Sequence, residues 1–237
     1  MTEEYFSKFR DHIIGVDQTF ETPFGKQTIL YADWIASGRM YGPIEDRVRK
    51  EILPFVGNTH TETTVTGTAM TKAYHHAKHY IKEQVNANEQ DVLVFCGSGM
   101  TGAINKMQRI LGLKVPDRIR DYSSQFNIED GSGHRLISCE DVNRPIVFIT
   151  HMEHHSNHTS WLETIVDLEI IQATETGRVD LDHFEELLKR YKDRKFKIAS
   201  VTACSNVTGL ETPYHEIAKL AHTYDGVCFV DFACSGP

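Results

Sequence analysis

The chain has 237 residues, of which 40% are hydrophobic, 24% charged and 10% aromatic, with a formal net charge of -8. These values exclude a collagen-like repeat, a coiled coil and a disordered polymer, and an acidic chain without Lys/Arg clusters makes nucleic acid and anionic membranes poor partners. No apolar run nears the roughly 20 residues that span a bilayer, the acidic start is unlike a signal peptide, and five scattered cysteines read as free thiols of a reducing cytoplasm.

In chain order, Glu3 to Ile14 reads as a leading helix, followed by a turn at Thr22-Pro23-Phe24-Gly25 and a short apolar stretch from Thr28 to Ala32. Residues 43–56 read as a helix, with Pro43 in the first turn and Ile44, Val48 and Ile52 spaced by four. A second long helix is expected over 68–84. From there short β-branched runs at 91–95, 145–149, 168–172, 197–201 and 227–231 alternate with helical segments at 102–111, 156–166, 180–192 and 213–224. Apolar strands separated by helices predict a parallel sheet covered on both faces. Lys114–Arg144 is polar, lacks periodicity and reads as an insertion.

In such sheets ligands bind beyond the carboxyl ends of the strands, and four strand ends here carry polar groups. Gly97-Ser98-Gly99-Met100-Thr101-Gly102 follows one run and opens a helix, a place where backbone N–H groups and the helix dipole favour a phosphate. His151, His154, His155 and His158 follow the next strand. A metal reading is set aside because no His-Glu-x-x-His pattern is present, and a strand-end imidazole can instead stack on a flat ligand. Ser205-Asn206-Val207-Thr208-Gly209 is a polar turn able to present an amide. Asp231 ends an apolar run, where a buried acid is costly unless it meets a cation, though it could also cap a helix. His75, His76 and His79 read as a solvated helix face. The glycine loop also matches Gly-x-Gly-x-x-Gly, but a dinucleotide site needs a second strand ending in an acid about 20 residues on, and Arg118–Tyr122 is not strand-like.

Together these motifs resemble the class V family of pyridoxal-phosphate (PLP) enzymes, which includes cysteine desulfurases, selenocysteine lyases and some aminotransferases. The resemblance runs from Tyr31 to the last residue. It is carried by Tyr31-Ala-Asp33, Gly99-Met-Thr101-Gly-Ala-Ile-Asn105, Met152-Glu-His-His-Ser-Asn157, Ser205-Asn-Val-Thr-Gly209 and Val230-Asp-x-Ala233. It implies a fold-type I large domain, an α/β structure with a mostly parallel sheet and helices on both faces. Residues 1–30 would form a helical arm, and residues 31–237 a domain that stops before its last strands, without a small C-terminal domain.

The resemblance also implies roles. Met100 and Thr101 would hold the cofactor phosphate, His154 would stack on the pyridine ring, Asn206 would lie near the ring 3-oxygen, and Asp231 would pair with the protonated ring nitrogen. An amino-acid substrate and a homodimer are implied, with Asn58–Thr61 in a segment that contributes at the dimer interface. Cys234 stands where the family places Gln or His, and Trp34-Ile35 replace small residues. The Schiff-base lysine is expected about two dozen residues after the ring aspartate, from typical strand and loop lengths, beyond the six that follow Asp231 here. The last lysine present, Lys219, precedes the Asp231 strand. A separate chain carrying the remainder is one expectation. A non-catalytic scaffold with a relic pocket and an NAD-dependent oxidoreductase are the alternatives.

Overall fold

Among the described residues, four strands, β3 Ile146–Thr150, β4 Asp167–Ile171, β5 Lys197–Thr202 and β6 Val227–Asp231, pair in parallel in the order β4-β3-β5-β6. This computed structural model describes residues 3–59, 61–116, 118 and 144–236. The chain divides into two compact units, Met1–Phe95 and Cys96–Pro237.

In the first unit, α1 (Glu3–Arg10) is shorter than expected, and the Thr22–Gly25 turn closes a hairpin of β1 (Thr19–Thr22) and β2 (Gly25–Thr28). The helix over 43–56 is present as α2 (Gly42–Arg47), which continues through a π turn to Ile52 and a 3-10 turn ending at Phe55. Pro54 explains the tightened end, because proline cannot donate the next helical hydrogen bond. Helix α3 (Val65–Gln84) begins three residues earlier than expected, where the Thr64 hydroxyl accepts from Gly67 N–H at 3.1 Å. His75, His76 and His79 are exposed on it, and no metal-binding group of side chains occurs among the described residues. The strand expected at 91–95 does not form. Asp91–Phe95 pairs with no described strand, and Val92 is 83% exposed. Its composition suits a strand, but a strand exists only through its neighbours.

The second unit holds α4 (Gly99–Ile110), α5 (His155–Leu162), α6 (Leu181–Arg190) and α7 (Tyr214–Thr223) between and beside the parallel strands. Alternation along the strands sends residues to two faces. Val147, Ile149 and Ile198 pack with Trp161 of α5 and Ile104 of α4 on one face. Ile146, Phe148, Ala199 and Val201 pack with Phe184 of α6 and Ile217 of α7 on the other. β3 and β5 are buried along their whole length. That double coverage is why they read as continuous apolar runs rather than alternating ones.

The strand order carries the functional geometry. From β3 the chain crosses by α5 to β4 on one side, then returns by α6 past β3 to β5 on the other side. Helices on opposite faces keep both crossovers right-handed. β3 and β5 therefore flank the point where the winding reverses, which is where an open α/β sheet forms its crevice. Most of the Lys114–Arg144 insertion, and the acid a dinucleotide site would need near 118–122, lie outside the described residues.

Trp161 is fully buried, and its indole Nε1 donates to Asn157 Oδ1 at 3.2 Å. Trp161→Ala is expected to lower unfolding free energy by about 3–5 kcal/mol, read as a lower urea midpoint with an unchanged slope.

Candidate cofactor site

Past Phe148↔Ala199 the β3–β5 register ends, although β3 runs on to Thr150 and β5 to Thr202. The strands part there, and side chains from the segment leading into α5 take over the backbone groups that pairing would have satisfied. One carboxylate oxygen of Glu153 accepts from Thr150 N–H (3.3 Å), Thr150 Oγ1 (2.6 Å) and, across the gap, Thr202 N–H (2.9 Å). Its other oxygen accepts from Asn157 Nδ2 at 2.6 Å. Asn157 is fully buried, donates also to the Ser200 carbonyl (3.2 Å) and accepts from Ser200 Oγ (2.7 Å). Burial pushes the Glu153 carboxyl up from its ordinary value, and the four donors pull against that rise without cancelling it.

His154 lies between these two anchors, as the N-cap of α5. Its Nδ1 accepts from Ser156 N–H at 3.2 Å and lies 2.9 Å from Ser156 Oγ. With Nδ1 accepting a backbone N–H, the proton of the neutral ring is on Nε2. The ring is exposed, so its faces are open to a stacking partner.

Asn206 projects from the loop after β5. Ser205 Oγ accepts from Val207 N–H and Thr208 N–H, and Ser205 N–H donates to the Leu210 carbonyl, closing the loop beneath it. Asn206 itself is exposed, and its amide bonds to none of the described residues. At the end of β6, Asp231 is only 3% exposed. Its Oδ1 accepts from Ala233 N–H at 2.9 Å, and no Lys or Arg among the described residues pairs with it. Asp231 shares its sheet face with Phe229 and therefore with Trp161 and Asn157, the face on which α5 and His154 lie. Cys234 is a near neighbour. Burial, then the Asp231 charge and Cys204, push its thiol up, so it stays protonated.

The glycine loop reaches the same edge. Ile165 N–H donates to the Leu113 carbonyl at 3.0 Å, which ties the end of α4 to the amino edge of the sheet just before β4. Met100, at the other end of α4, packs into the cluster holding Ile149. The start of α4 thus lies toward the carboxyl edge, on the His154 face. No side chain caps it, and the N–H groups of Gly99, Met100 and Thr101 donate to no described residue. Gly99 has φ of +59°, and a side chain at Gly97 or Gly99 would meet nothing within 4 Å. A Cβ at Gly102, by contrast, would run into the Gly97 carbonyl. The loop is tight inside, open outside and rich in unsatisfied donors, which suits a phosphate.

Met100, Thr101, His154, Asn206 and Asp231 all belong to the second unit, whereas Tyr31, Asp33, Asn58–Thr61 and the His75, His76 and His79 face belong to the first. The bridge made by Glu153, Asn157 and Thr202 was not foreseen. A Glu and an Asn four apart, flanking a helix start beside a buried strand, are the signal that would have exposed it.

Residues 143–237 match the protein family described as Aminotransferase class-V. The chain is 30% identical over 182 residues to a cysteine desulfurase of Synechococcus elongatus, covering 75% of this chain and 24% of that protein. It is 27% identical over 213 residues to a probable cysteine desulfurase of Halalkalibacterium halodurans, covering 88% and 45%. The chain thus spans less than half the length of these curated relatives. Among solved structures, the apo cysteine desulfurase from Thermococcus onnurineus superposes with a TM-score of 0.65 at 17% identity, covering 94% of this chain and 46% of that one. The cysteine desulfurase CsdA from Escherichia coli gives 0.61 at 17% identity, covering 96% and 49%. These likenesses show the fold: part of a PLP fold-type I large domain.

Two outcomes follow from the site. Gly102→Ala should displace the Gly97 carbonyl and weaken retention of inorganic phosphate, read by calorimetric titration. For Glu153, a folded-state value above the unfolded one means that the native state holds the proton more tightly. Its stabilising contribution is full below the unfolded value and is lost as pH rises through the raised one. Urea midpoints measured from pH 4 to 8 should show this loss in the parent chain, and Glu153→Gln should remove it.

Proposed function

We propose that this class V aminotransferase-like chain is the cofactor-binding part of a PLP enzyme acting on an amino acid, with cysteine desulfuration the reaction favoured by its relatives. The observation that carries the reading is a buried aspartate without a basic partner among the described residues, at the same sheet edge as an uncapped glycine-rich helix start. The first suits a cationic ring nitrogen and the second a phosphate, and few small molecules carry both.

In this reading the N–H groups of Met100 and Thr101, with the Thr101 hydroxyl, hold the phosphate. The exposed face of His154 covers the ring, Asn206 offers its amide to the ring 3-oxygen, and Asp231 holds the proton on the ring nitrogen. When bound, PLP supplies an electron sink, drawing electrons from the substrate carbon while its ring is cationic. The residues' task is to orient the ring and keep that proton in place. The protonated thiol of Cys234 acts as a weak donor beside Asp231 rather than as a nucleophile.

Lys197 and Lys219 of the second unit stand away from this edge. Lys197, at the start of β5, donates to the carbonyls of Lys192 and Arg194, and Lys219 is exposed on α7, across the sheet from His154. In this proposal, attachment of PLP to a lysine is left to residues outside those described. The arm at 1–30, the homodimer and a cytoplasmic location remain parts of the same proposal.

Binding can be measured on the chain itself from the absorbance of added PLP and trapping with borohydride. Thr101→Ala removes a hydrogen bond to a charged group and should weaken PLP about 10-fold or more. Asp231→Asn should weaken it further and shift the absorbance of bound PLP toward that of the unprotonated ring. Borohydride should leave only scattered labelling of surface lysines. Affinities within twofold of the parent for both variants would overturn the assignment.

A further inference from the structure

We propose that Glu153 is a positioning residue: its carboxylate bridges the parted ends of β3 and β5 and thereby fixes the orientation of His154. The inference rests on the PLP reading for what His154 meets, but not for the geometry itself.

The bridge is specific in shape. A ladder continued past Phe148↔Ala199 would have held Thr150 and Thr202 by backbone pairing. Instead both N–H groups converge on one oxygen of Glu153, at 3.3 and 2.9 Å, while Asn157 Nδ2 donates to the other oxygen at 2.6 Å. Asn157 in turn is pinned to both polar groups of Ser200 on β5. The peptide of His154 is thus held one residue before its Cα by Glu153 and three residues after by Asn157. Glu153 reaches both strands, through Thr150 and Thr202, while Asn157 reaches β5 through Ser200 and is tied back to Glu153. Beside a tilted contact with the His155 ring, 5.8 Å between centroids, the ring is held among the described residues through its Nδ1, against Ser156. Its direction therefore follows the short backbone stretch between the anchors.

All of the hydrogen-bonding groups around the Glu153 carboxylate donate to it. An amide of the same shape cannot replace it, because its NH2 would face either Asn157 Nδ2 or the Thr150 and Thr202 donors. Asn157 cannot turn to help, since its Oδ1 already accepts from Ser200 Oγ and Trp161 Nε1. Glu153→Gln should therefore open the gap while leaving the paired part of the sheet, below Phe148, in place.

The test uses the intact chain carrying Glu153→Gln, with Glu153→Asp as a second variant that keeps the charge but falls one methylene short. Three readings are taken: the ring-nitrogen chemical shifts of His154 by NMR without ligand, amide exchange at Thr150 and Thr202, and the PLP dissociation constant. We expect Glu153→Gln to move the His154 ring shifts, to speed exchange at Thr150 and Thr202 at least 10-fold relative to Phe148 and Ala199, and to weaken PLP about 10-fold. Glu153→Asp should fall between the parent and Glu153→Gln in all three. Unchanged His154 shifts in both variants, with only a lower melting temperature, would overturn the proposal and leave Glu153 a structural residue. If the parent chain does not bind PLP but Glu153→Gln still moves the His154 ring, the positioning role stands and the PLP reading falls.

Discussion

The arrangement of the second unit depends on where β3 and β5 stop pairing. A reversal of winding obliges neighbouring strands to send their connections to opposite faces, and the gap so made exposes backbone donors with no ladder partner. An unsatisfied buried N–H costs about 1–3 kcal/mol. The carboxylate of Glu153 removes that cost for two of them at once, at the expense of burying its own charge. Everything that gives the carboxyl edge its chemistry sits around this wedge: His154 directly after it, Asn206 past the far side of the gap and Asp231 on the next strand.

The edge is assembled from groups that are individually unremarkable. A glycine loop, a capping histidine, a loop asparagine and an aspartate each occur widely in structural roles. Their combination is unusual because so many are left half-satisfied. Among the described residues, the start of α4 is uncapped, the amide of Asn206 is unpaired, and one oxygen of Asp231 receives no donor. A ligand bearing complementary charges would complete all three, which is the basis of the proposed cofactor reading.

Much of this was legible in the sequence. The runs that became β3, β4, β5 and β6 are β-branched, lie between amphipathic segments and end in polar residues, so type, order and outward-facing ends could all be read. The Asp91–Phe95 run had the same composition and formed no strand, because side-chain pattern reports suitability for a sheet while pairing depends on a partner elsewhere. Glu153 lies within the Met152–Asn157 motif, where sequence alone assigns it no role. Local reasoning treats an acid before a helix as a dipole partner or a solvated charge. Its distant partner, Thr202, lies 49 residues away and becomes a neighbour only through the crossover. Helix boundaries differed for a milder reason: caps such as Thr64 and His154 lie outside the apolar periodicity that betrays a helix.

At the opposite edge of the sheet, Asp167 receives Arg144 at 2.8 Å and Arg194 at 2.7 Å, and Arg194 also donates to the Arg144 carbonyl. Just beside them, the Leu113 carbonyl is held by Ile165 N–H. The chain therefore leaves α4 and re-enters β3 through two moorings on the amino edge, the full depth of the sheet from His154 and Asp231. The ion cluster and the Leu113 hydrogen bond at the amino edge thus hold the described ends of this stretch at a distance from the residues of the carboxyl edge.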